Sequence, residues 1–384
     1  MRIAVLHSRY LSGPASGENR VFSDEIELLI KAGHEVKGWA PSPGTTSKAG
    51  AKAALQAVWS AEAVTQVRDL VSGWGAQIVH FHNLFPLVSP AAVREASAQG
   101  AGVVMTLHNY RLMCLSGSFF RDGHICEDCL GHSPWRGVVH SCYRGSAMAS
   151  GALTTSLAVH RGLGTFDRID RFLAVSEFVQ RKHVEAGISE ERIGVAPQFA
   201  WPTERREGPG DYFLYVGRLT QEKGANALID AWTPDLGPLV VAGDGPEMAH
   251  LRAVAAPNVE FRGLLPGGAI PALLRGARAL MVPSLWDDAA PRSVTEAFAA
   301  GVPVVASRRG GLSEAVRNDE SGLLVSPGVA SEWAAAVRHL CNDQEAVRLG
   351  ENAWRQWSGA HRPEHSLARL ESAYEAVLAR AAAP

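Results

Sequence analysis

A chain of 384 residues is too long for one ordinary hydrophobic core, and its length favours two α/β domains. With 46% hydrophobic residues, 20% charged residues and a net charge of -2, the composition is that of a soluble globular protein and excludes a polyanion-binding excess, so nucleic acid is not an expected partner. The apolar run after Met1-Arg2 stops at His7, too short for a signal-peptide core, and no stretch reaches the roughly 18 apolar residues of a spanning helix, so the chain reads as cytoplasmic.

Ile3-Ala4-Val5-Leu6 reads as a fully buried strand, followed by a loop from Ser8 to Gly17 and a helix ending at Gly33. In that loop, Leu11-Ser12-Gly13-Pro14-Ala15-Ser16-Gly17-Glu18 sets small residues before a helix N-terminus, where backbone N–H groups can approach a phosphate. A plain tight turn is the competing reading, because the segment is not GxGxxG and no acid ends the second strand. Further strands are expected over 35–39, 78–81, 103–107 and 172–175, with helical patterns over 51–71 and 90–98. Such alternation implies a parallel, doubly wound sheet. His82-Asn83 and His108-Asn109 fall at the carboxyl ends of two of these strands, the edge where open α/β sheets bind ligands. One histidine there is more often structural; two favour a site, with His108 ranked above His82.

Cys114-x11-Cys126-x2-Cys129-x12-Cys142 gathers four of the five cysteines in one segment, interspersed with His124, His132 and His140. The spacing suits a structural zinc that staples a long loop, while buried free thiols or an adventitious disulfide remain open. A catalytic zinc is disfavoured, since four protein ligands leave no open position. Residues 145–164 mix small and apolar side chains with Arg144, His160 and Arg161 at the ends. Packing on the first domain is the main reading, and peripheral contact with the inner face of the cytoplasmic membrane is the lesser one.

Pro197, Pro202 and Pro209 break the pattern and mark an interdomain linker. A second alternating series has strands near 212–216, 239–242, 259–261, 280–282, 304–306 and 323–325. Gly217-Arg218-Leu219-Thr220-Gln221-Glu222-Lys223-Gly224 puts two cations directly after the first of these strands. Arg218 can grip a diphosphate through its planar fork, and Lys223 can stabilise a departing nucleoside diphosphate without a metal. Two solvated surface cations are the plain alternative. Gly243 lies in a sharp strand-to-helix turn, Ala242-Gly243-Asp244-Gly245-Pro246-Glu247, as a donor-side glycine or simply as turn chemistry. Asp287-Asp288 then precedes a helix carrying Glu296, and helical periodicity over 364–380 follows the second sheet.

On Arg218, Lys223, Asp288 and Glu296 the second half resembles the nucleotide-sugar domain of the retaining family 4 glycosyltransferases (glycosyl transferases group 1), and the resemblance extends over nearly the whole chain. It implies a GT-B architecture, two Rossmann-like domains with parallel sheets facing across a cleft and closing over the donor. The domains would span 1–200, acceptor-binding with a Cys-rich insertion at about 112–145, and 201–361, nucleotide-sugar-binding, with 362–384 returning to the first. That family carries an E-x7-E motif whose second Glu binds the donor ribose and whose first lies near the transferred sugar. The matching positions are Glu296 and Asp288, so the first acid is one methylene shorter here. Arg218 and Lys223 match the diphosphate-binding cations, Gly17-Glu18 a Gly-Gly-Glu-like loop with Ser16 in place of the first Gly, and His108 a histidine near the donor sugar or acceptor.

The implied activity is metal-independent, retaining transfer of a hexosyl group from a UDP- or GDP-sugar to a hydroxyl of a saccharide or lipid-linked acceptor, in polysaccharide or glycoconjugate synthesis. Catalysis would fall to His108, Arg218, Lys223 and Asp288, donor binding to Gly17, Arg218, Lys223, Gly243 and Glu296, and acceptor binding to His82, Asn83 and Asn109. Two facing carboxylates are not evident, so front-face attack assisted by the leaving phosphate is implied rather than a covalent glycosyl-enzyme. A non-catalytic sugar-nucleotide or polysaccharide-binding module and a GT-B nucleotide-sugar epimerase are the alternatives.

Overall fold

The computed structural model describes residues 1–10, 17–42 and 49–381. The chain separates into two compact units. One comprises Met1–Phe119, Cys126–Ala196 and Ser366–Pro384, and the other Phe120–Ile125 and Pro197–His365.

The first unit is built on six parallel strands: β1 (Arg2–His7), β2 (Glu35–Trp39), β3 (Ile78–Asn83), β4 (Gly102–Leu107), β7 (Arg171–Ala174) and β8 (Ile193–Val195), arranged β2-β1-β3-β4-β7-β8. Between β4 and β7 lies the short antiparallel pair β5 (Phe120–Arg121) and β6 (His124–Ile125), which clusters with the second unit. Strands β3 and β4 are buried along their whole length and β1 from Ile3 onward, which explains their near-continuous apolar sequences; the edge strand β2 is largely exposed. Ile3 stands opposite Ile78, and Ile78 opposite Gly102.

The single helix expected over 51–71 is instead two helices, Ala49–Val58 and Ala61–Arg68, running on into a π-helical turn, Asp69–Gly73. Ser60 makes the break: its backbone is extended, and its Oγ accepts a hydrogen bond from Ala63 N at 3.3 Å. A serine that caps a helix is better placed at the break than inside one. The last helix, Pro363–Ala381, contributes Tyr374 to the core of this unit.

The second unit has strands β9 (Tyr212–Val216), β10 (Leu239–Ala242), β11 (Val259–Gly263), β12 (Ala277–Val282), β13 (Val304–Ser307) and β14 (Gly322–Val325) in the order β11-β10-β9-β12-β13-β14, all parallel. Alternation along β9 sends Phe213 and Tyr215 into one core layer with Trp333, and Leu214 into the other with Phe298 and Trp357. The strand order reverses between β9 and β12. Ligands of open α/β sheets bind beside the carboxyl ends of the strands at such a point.

Candidate active site

In the second unit, the loops after β9 and β12 meet at this switch point. Gly224, at φ +71°, turns the Arg218–Lys223 loop into the next helix, and a Cβ there would collide with the Pro283 carbonyl. Leu285 N donates to Glu222 O at 2.9 Å, which fastens the two loops together. As a result Lys223 Nζ lies 2.6 Å from Asp288 Oδ2 and 5.0 Å from the centre of the Trp286 ring. Asp288, with 6% of its side chain exposed, also accepts from Ser284 Oγ at 3.2 Å. Trp286 Nε1 is buried and has no hydrogen-bond partner among the described residues, the kind of gap a ligand or water closes.

The loop after β13 supports this turn from the other side. Gly310 has φ +53°, a Cβ on it would lie 2.8 Å from Asp287 Cα, and Gly311 N donates to Asp288 O at 2.8 Å. Gly243 approaches Gly217 so closely that no Cβ fits, and Leu219 N donates to Asp244 O at 2.9 Å, so the glycine-rich turn after β10 braces the Arg218 loop. Arg218 is more than half exposed, with Glu222 at 3.2 Å. Glu296 lies in the second turn of the helix Arg292–Ala299 and pairs with Arg292 Nε at 2.7 Å. Arg218, Lys223, Asp288 and Glu296 therefore stand on neighbouring loops and a helix start at the carboxyl end of one sheet.

The first unit carries a buried histidine network. His80 and His82 alternate on β3 toward the same face, and both reach Glu25 of the helix Gly17–Lys31: His80 Nδ1 at 2.9 Å and His82 Nε2 at 3.1 Å from Oε1. His82 Nδ1 lies 2.8 Å from His108 Nε2. His80 Nε2 meets Thr106 Oγ1 and its Nδ1 meets Tyr374 Oη, both at 2.8 Å. Burial pushes the Glu25 carboxyl upward, but the charges and hydrogen bonds of His82 and His80 outweigh it and hold it well below the carboxylate range. Burial, with His82 and His7 adding to it, holds His108 well below the ordinary histidine value, and burial also lowers His80. His82, His108, Asn109 and Arg111 line a small crevice at the ends of β3 and β4, together with apolar Leu84, Phe85 and Met105.

Within that crevice the expected side chains do different things. Asn83 is committed to the backbone, donating to Ser8 O at 2.8 Å and Phe85 O at 3.0 Å and accepting from Phe85 N at 3.2 Å. Asn109 donates to Glu18 Oε1 at 2.9 Å, and Tyr10 Oη donates to the other Glu18 oxygen at 2.9 Å while accepting from Arg111 at 3.0 Å. Gly17 opens its helix with nothing within 4 Å of a Cβ position. Ser16 and the rest of residues 11–16 lie outside the described residues. Glu25, His80, Arg111, Ser284, Trp286 and Gly310 are additions that sequence reasoning missed; only the His80-x-His82 alternation carried a usable signal.

All five cysteines are free thiols, with Cys114 and Cys129 buried. Burial raises the Cys129 thiol, with Cys114 and Cys126 adding to it. Among the described residues, the sets of three or more metal-ligating atoms within 4.8 Å of one another are Glu25-His80-His82 and Asp319-His339-Glu345, and the cysteines do not form one. Mutual hydrogen bonds account for the first set. No helix among the described residues is long and apolar enough to cross a membrane.

Two family descriptions match the chain, "Glycosyltransferase Family 4" over residues 15–199 and "Glycosyl transferases group 1" over residues 210–343. A 2-deoxystreptamine glucosyltransferase from Streptomyces kanamyceticus is 28% identical over 382 residues, covering 95% of this chain and 92% of that protein. Several further relatives are matched over less than half of their own length. In fold the chain is similar to sucrose-phosphate synthase from Thermosynechococcus elongatus, with TM-score 0.70 and 17% identity over 99% of this chain and 100% of that one. It is likewise similar to HepE of Anabaena in complex with UDP-glucose, with TM-score 0.65 and 17% identity over 97% of this chain and 100% of that one. With two parallel-sheet α/β units, a glycosyltransferase match on each and GT-B neighbours across nearly its full length, the chain belongs to the group 1, family 4 glycosyltransferases of GT-B fold.

Proposed function

We propose that this glycosyltransferase takes a hexosyl group from a nucleoside diphosphate sugar, without a metal, and transfers it with retention to a hydroxyl of a saccharide or lipid-linked acceptor. The observation that carries the donor side is the Lys223–Asp288 contact at the switch point of the second sheet, 2.6 Å long and backed by an unpartnered Trp286 Nε1. In the resting site Asp288 holds the Lys223 ammonium in place. When a diphosphate arrives, Lys223 and the exposed Arg218 supply two positive charges where negative charge develops as the glycosidic bond breaks. Preorganised cations of this kind do the work that a divalent ion does elsewhere.

Glu296 is assigned to the donor ribose, with Arg292 fixing its orientation at 2.7 Å, and Gly243 and Gly17 to close backbone approach to the donor. Asp288, after releasing Lys223, faces the transferred sugar. On the first unit, His108 is assigned to the acceptor or donor sugar and His82 and Asn109 to the acceptor, with Asn83 acting on that side through the loop backbone it holds. The UDP-glucose held in the HepE structure makes a uridine donor the first to try. A structural zinc on Cys114, Cys126, Cys129 and Cys142 belongs to the proposal only as a staple for that segment, and elemental analysis of purified protein decides it.

The test is a thermal-shift screen against UDP, GDP, ADP and TDP and their sugar conjugates in EDTA. A ligand that binds only the folded state must raise its apparent stability. A shift with one nucleoside diphosphate supports the donor site and names its base. Shifts that require added metal contradict the metal-independent reading.

A further inference from the structure

Eleven large hydrophobic side chains stand exposed among the described residues, and seven of them fall on or beside three helices of the first unit. Leu55 and Trp59, one helical turn apart, sit at the end of Ala49–Val58; Leu55 is 75% exposed. Trp135 and Val139 have the same spacing around the short helix Arg136–Val139. Met148 and Val159 lie eleven residues apart on Ala147–Gly162, three turns along one face, with Leu163 just past its end.

The helix Ala147–Gly162 packs on both of the others. Ser156 Oγ donates to Ala57 O at 2.6 Å, His160 Nε2 lies 2.8 Å from Val58 O, and the Trp59 ring stacks on His160 with centres 5.7 Å apart.

The long helix carries apolar side chains on both faces. Its buried face includes Ser150, Ser156 and His160 beside Leu153 and Leu157, while Met148, 74% exposed, and Val159 point to solvent. A helix packed only for its own domain turns its apolar stripe inward. The buried polar groups are satisfied, Ser150 by Tyr143 N and His160 by Thr165 Oγ1, which leaves the exposed hydrocarbon as the feature that calls for a cover.

The charge pattern identifies the cover. No Asp or Glu occurs between Cys129 and Phe166, nor between Val36 and Ala61. Arg136 stands next to Trp135, Arg144 just before the long helix and Arg161 in its last turn; all three are exposed. The nearest acid to Arg136 is Asp128, at 3.9 Å. A second copy of the chain would bring a like-charged face against this one, which disfavours self-association. Apolar side chains, tryptophans and arginines that outnumber the acids beside them fit a lipid interface whose headgroups are anionic.

We propose that this three-helix face seats the first unit on an anionic membrane surface, with Leu55, Trp59, Trp135, Val139 and Met148 entering the headgroup boundary and the arginines meeting lipid phosphates. The proposal does not depend on the identity of the sugar donor.

Co-sedimentation of the full chain with vesicles of phosphatidylcholine mixed with phosphatidylglycerol, and with phosphatidylcholine alone, tests it. The expected result is binding to the anionic vesicles that weakens as salt is raised, and little to the neutral ones. The variant Met148→Glu/Val159→Glu lowers the partition coefficient by on the order of ten-fold, while its thermal melt matches the parent because both sites are on the surface. Absence of binding to anionic vesicles overturns the proposal, as does binding that this variant leaves unchanged. A concentration-dependent dimer in sedimentation velocity that the same variant abolishes would assign the face to a second copy instead.

Discussion

His82 Nδ1 and His108 Nε2 lie 2.8 Å apart in the buried crevice of the first unit, so one hydrogen sits between them. Because the Glu25 carboxylate accepts from His82 Nε2, the arrangement that adds no further charge has His108 donating through Nε2 to His82 Nδ1. Glu25 thus orients His108 through His82.

Replacing His108 by Ala is expected to lower turnover about a hundredfold while leaving nucleoside diphosphate affinity unchanged, because the cations proposed to hold the diphosphate, Arg218 and Lys223, lie in the second unit. Initial rates and a calorimetric titration on the same preparation check this. A parallel loss of nucleotide affinity would contradict the division of roles.

The Lys223–Asp288 pair makes a different prediction. Lys223→Met removes the cation and leaves the buried Asp288 carboxylate with Ser284 Oγ as its remaining side-chain partner. Fully buried pairs lose roughly 3–5 kcal/mol when broken, and partial exposure of Lys223 scales this to about 2 kcal/mol. Adding Asp288→Asn should recover much of that stability but none of the turnover. Urea melts and rates of the single and double variants measure both, and a double variant less stable than Lys223→Met would refute the pairing.

Gly310→Ala places a Cβ against the Asp287 backbone at a positive φ. Both stability and nucleotide affinity should fall, since the turn that carries Asp288 must shift. The same change at Gly33, also at positive φ but with nothing within 4 Å of its Cβ position, should cost stability alone.

Several buried histidines predict acid sensitivity. Burial lowers His7 and His183 from 6.5 to about 4, and lowers His80, His108 and His160 as well. Between those values the unfolded chain binds protons that the folded chain refuses. Their stabilisation is therefore complete above pH 6.5 and is lost as pH falls toward 4, by roughly 3 kcal/mol for each of His7 and His183. Glu25, held low, adds to the loss only below its ordinary value of 4.5. Melting temperatures at pH 7 and pH 5 should differ by several degrees, and equal values would contradict the neutral, buried histidines.

The sheets were legible in the sequence because central parallel strands such as Val103–Leu107 are buried on both faces and read as apolar runs. Arg218 and Lys223 stood out as cations directly behind a strand. Their partners did not, because Lys223 and Asp288, 65 positions apart in sequence, come together only when β12 pairs with β9. Glu25 sits in an acidic run, Asp24-Glu25-Ile26-Glu27, that carries no sign of burial, and only the two histidines of a separate strand pair with it in the interior. The helix break at Ser60 was missed since the apolar period continues through it, and the outward apolar face of Ala147–Gly162 needed burial rather than periodicity to be seen.

The central claim is metal-free cleavage of a nucleotide sugar by the cations of the second unit. Its most direct test follows nucleoside diphosphate release from a panel of UDP-, GDP-, ADP- and TDP-hexoses in EDTA, with NMR recording the anomer of the first sugar product. One conjugate should be turned over with its anomeric configuration kept, and Lys223→Ala should slow that reaction about a hundredfold. Release that demands a divalent ion, an inverted product, or a Lys223→Ala variant as fast as the parent would contradict the account.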